Sequence, residues 1–113
     1  MASYFRNSVK SAIGITPVKV LDVASPSRAT VIGLSLTNLT EGTIQINVQI
    51  EVPVSPSGTV TGYYCKNILI PPNTSLRLVN GGEKLILAEN NKLYISSDTA
   101  ASIDALISYV EIV

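Results

Sequence analysis

Few residues in this chain could do covalent or acid–base chemistry, and they are scattered. Histidine is absent, and the one cysteine, Cys65, stands between Tyr64 and Lys66. A lysine facing a thiol lowers its pKa and would make Cys65 a nucleophile, but a cysteine inside a strand is more often a packing residue. The eight acidic residues (Asp22, Glu41, Glu51, Glu83, Glu89, Asp98, Asp104 and Glu111) stand singly along the sequence. Glu89 and Asp98 could meet across a turn and hold calcium. Their spacing does not require it, and solvated surface carboxylates are the better account. Asn80-Gly81-Gly82 joins two strand-like runs rather than opening a helix, so it is no phosphate loop. Catalysis near neutral pH relies on a tuned acid or base, and none is grouped here. The expectation is no enzyme, no catalytic residue, no metal and no cofactor. Tyr63 and Tyr64 are the remaining candidates. Adjacent strand residues point to opposite faces, so one of the pair is exposed. With the loop of residues 55–62 it offers a protein-contact or sugar-stacking surface.

The elements that carry these residues read as strands. Residues 43–52 alternate without error, with Ile44, Ile46, Val48, Ile50 and Val52 on one side and Thr43, Gln45, Asn47, Gln49 and Glu51 on the other. That period of two belongs to a half-buried strand. Similar runs occupy residues 16–23, 28–38, 59–66 with 67–70, 75–79, 83–88, 92–96 and 102–113. In the second of these, Ile32, Leu34 and Leu36 are expected to face inward. Turn residues separate the runs, and Pro71-Pro72 is a firm stop because proline cannot continue a central ladder. The closing run is apolar on both faces, with Ile103, Ala105, Ile107 and Tyr109 opposite Leu106, Val110 and Ile112. A strand of that kind is usually covered twice. Its second cover is either the N-terminal segment or a neighbouring subunit. The pattern predicts an all-β chain: a single antiparallel β-sandwich, jelly-roll or immunoglobulin-like, of about eight strands.

Residues 1–14 read differently from the sandwich domain of residues 15–113. Phe5, Val9, Ala12 and Ile13 fall at the spacing of an amphipathic helix, and Gly14 would stop it. So short a helix must dock on something, because nucleation is costly. The segment either covers its own sandwich, as a helix or a strand, or acts as an arm that anchors the chain to a larger assembly. The anchoring candidates are Tyr4, Phe5, Val9 and Ile13, with Tyr63 and Tyr64 as a second partner-binding pair.

Composition supports a partnered surface. Lysine plus arginine and aspartate plus glutamate number 8 each, for a formal net charge of zero. Such a chain has no electrostatic footprint for nucleic acid or an anionic membrane. Only 14% of residues are charged and 46% are hydrophobic, against about 25% charged in ordinary soluble domains. Either Thr, Ser and Asn supply the wet faces, or some surface is permanently covered by other subunits. The second reading is preferred. The opening octet has no apolar leader-like run, and Cys65 has no partner for a disulfide, so folding in a reducing cytoplasm is expected. Asn38-Leu39-Thr40 and Asn73-Thr74-Ser75 match the glycosylation triplet only by chance on that reading.

The order of pieces resembles a family of small virion structural proteins of tailed bacteriophages, cyanobacterial ones included. The resemblance runs through Asn7-Ser-Val-Lys-Ser-Ala-Ile-Gly-Ile-Thr-Pro-Val18, Ala29-Thr-Val-Ile-Gly-Leu-Ser-Leu-Thr-Asn38 and Ile70-Pro-Pro-Asn-Thr-Ser-Leu-Arg-Leu78. It continues through Gly82-Glu-Lys-Leu-Ile-Leu87, Leu93-Tyr-Ile-Ser-Ser-Asp-Thr-Ala100 and Ile107-Ser-Tyr-Val-Glu-Ile112. It implies a β-sandwich repeated on a particle that is assembled in the bacterial host cytoplasm: a capsid decoration or cement protein, or a neck, baseplate or tail-fibre module. The implied partners are other virion proteins and further copies of the chain, a trimer among the arrangements. For the fibre alternative a host surface glycan is added. The resemblance brings no catalytic residue.

Overall fold

The period-two runs become nine strands in the computed structural model, which describes residues 2–54, 57–79 and 84–113. They are β1 (Ser3–Ile13), β2 (Val18–Asp22), β3 (Arg28–Asn38), β4 (Ile44–Pro53), β5 (Thr59–Ile70), β6 (Ser75–Val79), β7 (Leu85–Leu87), β8 (Lys92–Ser97) and β9 (Ile103–Ile112). No helix occurs among the described residues. All pairings are antiparallel. Sheet A runs β1-β9-β3-β6, with β7 also beside β3, and sheet B runs β2-β8-β4-β5. The first strand thus pairs the last, the second pairs the next to last, β3 pairs β6 and β7, and β4 pairs β5. That nested wrapping is the jelly roll. An immunoglobulin domain groups its strands otherwise, so the choice left open by the sequence falls to the jelly roll.

The inner faces of the two sheets make one dry core. Ile13, Val31, Leu34, Leu36, Ile103 and Ile107 from sheet A meet Ile44, Ile46, Val48, Ile70, Leu93 and Ile95 from sheet B. The alternation of β4 is obeyed where β8 covers it; beyond Glu51, whose partner Lys92 is the first residue of β8, the β4–β5 hairpin runs on and Val52 is exposed. The turn expected at Asn80-Gly81-Gly82 and the start of the 55–62 loop at Ser55 and Pro56 lie outside the described residues.

Three expectations are corrected. The helix expected within residues 1–14 is instead β1, hydrogen-bonded beside β9. Phe5, Val9 and Ile13 are four residues apart, and four is an even number, so the same spacing places them on one side of a regular strand. Gly14 stops no helix; it lets the backbone pass the next turn, where an added Cβ would lie 3.0 Å from the Ala101 nitrogen. Ile32 is not inward. A register shift between Val31 and Gly33 places it outward, while Val31 and Leu34 keep the core side.

Candidate functional site

Chemistry first. Cys65 sits opposite Val48 on the inner side of β5, and burial pushes its thiol above the ordinary cysteine range, partly offset by a backbone hydrogen bond from Val48. Lys66 is its neighbour in sequence but points to the opposite side, where its ammonium lies 5.0 Å from the Tyr63 ring centroid. It does not activate the thiol. Cys65 should therefore alkylate with iodoacetamide at pH 7.5 more slowly in the folded protein than after unfolding in guanidinium, and the rate should climb only as pH rises past the ordinary thiol range. Equal rates in the two states would contradict the half-buried, inward placement. Glu89 and Asp98 lie at opposite ends of β8, about 20 Å apart for a strand of that length. Glu89 accepts from the Ser25 hydroxyl at 2.9 Å, and Asp98 from the Gln45 amide at 3.1 Å. They do not form a shared calcium site.

The two outer faces of the sandwich differ sharply. On sheet B two cross-strand rows are polar, Lys19–Tyr94–Gln49–Tyr63 and Asp22–Lys92–Glu51–Thr61, while Leu69 beside Gln45 is an exposed apolar exception. Lys19 Nζ is 3.0 Å from Asp22 Oδ2, and the Tyr94 hydroxyl donates to Glu51 Oε2 at 3.1 Å. Desolvation and that carboxylate together hold the Tyr94 phenol protonated above its ordinary range. This is a solvated face.

Sheet A presents the reverse. Its register aligns Phe5, Val110, Thr30 and Ile86 in one transverse row, and Val9, Leu106, Ser35 and Arg77 in another. Between them run Asn7, Ser108 and Gly33, a row of small or short side chains. A ridge of Phe5, Val110 and Ile86, and a shorter one of Val9 and Leu106 that ends in Ser35 and Arg77, therefore flank a trough. A depression of about 520 Å³ is lined by Phe5, Arg6, Asn7, Ile32, Ser108 and Tyr109, and one of about 120 Å³ adjoins it over Gly33, Ser35, Leu106 and Ser108. Phe5 is 84% exposed, Ile86 71% and Val9 63%. Among the outward residues of these strands, charge is confined to Arg28, Arg77 and Asp104 at the margins. Nothing within the described chain covers β9 from outside: β1 lies beside it in the sheet rather than over it. An apolar face this broad, with its charge confined to the margins, is the candidate interaction surface among the described residues.

The candidate residues separate accordingly. Phe5 and Val9 stand on this face. Tyr4, also exposed, points to the other side, where Arg6 lies 5.0 Å over its ring and bonds Glu111 at 2.6 Å. Ile13 is a correction: at 1% exposure it belongs to the core and meets no partner. The left-handed Ala12 (φ 54°) and the register shift between Lys10 and Ile13 turn its side chain inward, away from the side of Phe5 and Val9. Tyr63 is exposed on sheet B, while Tyr64 packs against the core with its hydroxyl 3.4 Å from the Leu78 carbonyl. Sequence reasoning did not assign Ile32, Ile86 and Leu106 to a partner surface. For Leu106 the signal was present in the doubly apolar final strand. For Ile86 it lay in the unbroken Leu85-Ile86-Leu87 run.

No protein-family model matches this chain, and no curated protein matches it. The resemblance to tailed-bacteriophage proteins therefore finds no counterpart in either comparison. Among solved structures, a chain of the T13 infectious bursal disease virus particle aligns with a TM-score of 0.57 at 12% identity, over 96% of this chain and 30% of that one. Chains from the Gt and Gx strains of the same virus align with TM-scores of 0.54 and 0.52, at 13% and 10% identity. They are covered over 98% and 96% of this chain and 30% and 32% of their own length. At these identities the likeness is one of fold: this jelly roll spans about a third of the viral chains it matches.

Proposed function

We propose that this chain is a non-enzymatic virion structural protein, a capsid decoration or cement protein of a tailed bacteriophage that stabilises the head through repeated subunit contacts. The observation that carries the reading is the uncovered, nearly uncharged outer face of sheet A on a jelly roll of the kind found in a virus particle. The free edges of β1 and β5 add pairing surface at the margins. Its action is mechanical. Contacts burying about 800 Å² per partner are the standard scale, and repetition over a particle turns modest single-site affinity into retention. The low charge and the raised thiol pKa suit a chemically quiet module.

The fibre alternative, with host glycans on the hairpin around Tyr63, has a weaker basis. One ring face of Tyr63 is already occupied by Lys66, which removes half of a stacking platform. The test is location on purified particles by cryo-EM together with a variant. Changing Val9 to Lys and Leu106 to Glu, opposite charges on facing positions of β1 and β9, should leave the melting temperature of the single chain almost unchanged, since exposed substitutions stay within about 0.5 kcal/mol. Incorporation into particles should fall by roughly 30-fold or more, the scale of losing an interface hot spot. Density at the neck, baseplate or fibre tips would overturn the cement placement, and no density on virions would overturn the reading altogether.

A further inference from the structure

The outer face of sheet A constrains what can sit on it, and the reading above leaves that occupant unnamed. Three properties narrow the choice. First, charge: the face between Arg28 at one end and Asp104 at the other holds Phe5, Val9, Ile32, Ile86 and Leu106 among Thr, Ser and Asn, with Arg77 its one charge in between among the described residues, at the β6 edge. A partner bringing a charged surface would bury unpaired charges there, at high cost. The partner face must itself be apolar across its middle, with any charge confined to its margins. Sheet B, with Lys19, Asp22, Lys92 and Glu51 outward, does not qualify.

Second, area. Sheet A is four strands across, counting β6 and β7 as one edge, and its longest strands have 11 residues. At about 4.8 Å between strands and 3.3 Å per residue, the face measures roughly 700 Å², close to the ~800 Å² per partner of a stable complex. Third, shape. The ridge of Phe5 and Val110 and the trough of Asn7, Ser108 and Gly33 are adjacent rows, two residues apart along the strands. A two-fold axis lying in the interface, parallel to the rows and midway between ridge and trough, carries one onto the other. The ridge of one copy then fills the trough of the next, and both troughs are filled at once. With zero formal net charge, copies do not repel at long range.

We propose that the outer face of sheet A binds the same face of a second copy of this chain, giving a two-fold dimer in which Phe5 of each copy seats over the Asn7–Ser108–Gly33 trough of the other. Sheets packed in this way lie about 10 Å apart with strands within about 30° of alignment. The contact is isologous and closes on itself, so the dimer is a finite building block. This rests on the reading of the face as a subunit contact, but it is tested without particles.

Sedimentation of the purified full chain from nanomolar to micromolar concentration is expected to give twice the 12.0 kDa chain mass. Ser108→Arg, which fills the trough, and Phe5→Ala, which removes the ridge, should each weaken the dimer by about 30-fold or more. Tyr63→Ala on the opposite face should leave it unchanged. Phe5→Ala alters an exposed side chain, so it reports on association even if Ser108→Arg disturbs the sheet. A chain that stays monomeric at micromolar concentration, a trimer, or a dimer indifferent to both substitutions overturns the proposal. A monomer still incorporated into particles overturns the dimer and leaves the virion reading standing. A Ser108-sensitive dimer that is absent from particles does the opposite.

Discussion

A chain lacking residues 2–13 is expected to lose cooperative folding, not to yield a smaller stable sandwich. β1 pairs β9 from Ser3 opposite Ile112 to Ile13 opposite Ile103, and the ladder is closed beyond by Ala2 and Val113, which exchange backbone bonds of 3.1 and 2.9 Å. The strand also ends in core. Ile13 is 1% exposed, and its carbonyl accepts from the Ser102 amide at 2.9 Å. Truncating such an isoleucine alone costs about 2–5 kcal/mol, out of a typical total near 5–15 kcal/mol. Deletion would add to this by exposing β9, now an inner strand, as a long edge whose outward side is already apolar. Circular dichroism melts and analytical sedimentation check the outcome: loss of the transition, with aggregation, is expected. A deletion variant melting near the intact chain would show instead that β1 is a detachable arm. The exposed side chains of β1 behave separately, since Phe5→Asp should leave the melt almost unmoved at concentrations where the chain is monomeric.

That contrast shows where sequence reading succeeded and where it stopped. The unbroken alternation of residues 43–52 and the turn residues between runs carried the sandwich, because a period of two has few competing explanations. Phe5, Val9 and Ile13 had one. Intervals of four satisfy a helix face and a strand face alike, and the tie was broken the wrong way by Ala12, which the structure holds at a left-handed φ of 54° inside a bulge. Bulges defeat period counting because one inserted residue exchanges the faces on either side. Ile32 was misassigned for the same reason. The adjacent tyrosines behaved as parity requires, with Tyr63 out and Tyr64 packed inward. The contact face was only half legible. Leu106 and Val110 announced an apolar outer side of β9, but their neighbours Phe5 and Ile86 come from strands far away in sequence. Only long-range register puts them in one row.

Replacing Asn38 with Leu should destabilise the fold more than any other single polar-to-apolar change at the described positions. Asn38 ends β3 and is 1% exposed, with its side chain reaching from sheet A to sheet B. Its amide nitrogen lies 2.8 Å from the Gly42 carbonyl, 3.0 Å from that of Ile70 and 3.1 Å from that of Pro71, so its two hydrogens serve three acceptors. Its carbonyl oxygen accepts from both the amide and the hydroxyl of Thr40, at 2.8 Å each. An amide so engaged also leaves no room for a glycan, whatever the Asn38-Leu39-Thr40 triplet spells. Leucine would strip the Thr40 amide and the Gly42, Ile70 and Pro71 carbonyls of their side-chain partner at a mostly buried position, and each such loss costs about 1–3 kcal/mol where no other partner remains. A total near 3–5 kcal/mol lowers the melting temperature of a domain this size by roughly 10–20 °C. Asn38→Asp separates the two halves of the network. It keeps the acceptor for Thr40 but turns an anion toward three carbonyls, which favours its protonated form. A carboxyl whose folded pKa is raised holds its stability contribution at low pH and loses it as pH rises through that pKa. The Asn38→Asp variant should therefore melt higher at pH 4 than at pH 7 relative to the unsubstituted chain. A variant with no such dependence, or a Leu substitution costing under about 1 kcal/mol, would mean that the tie between β3 and β5 is made by backbone alone.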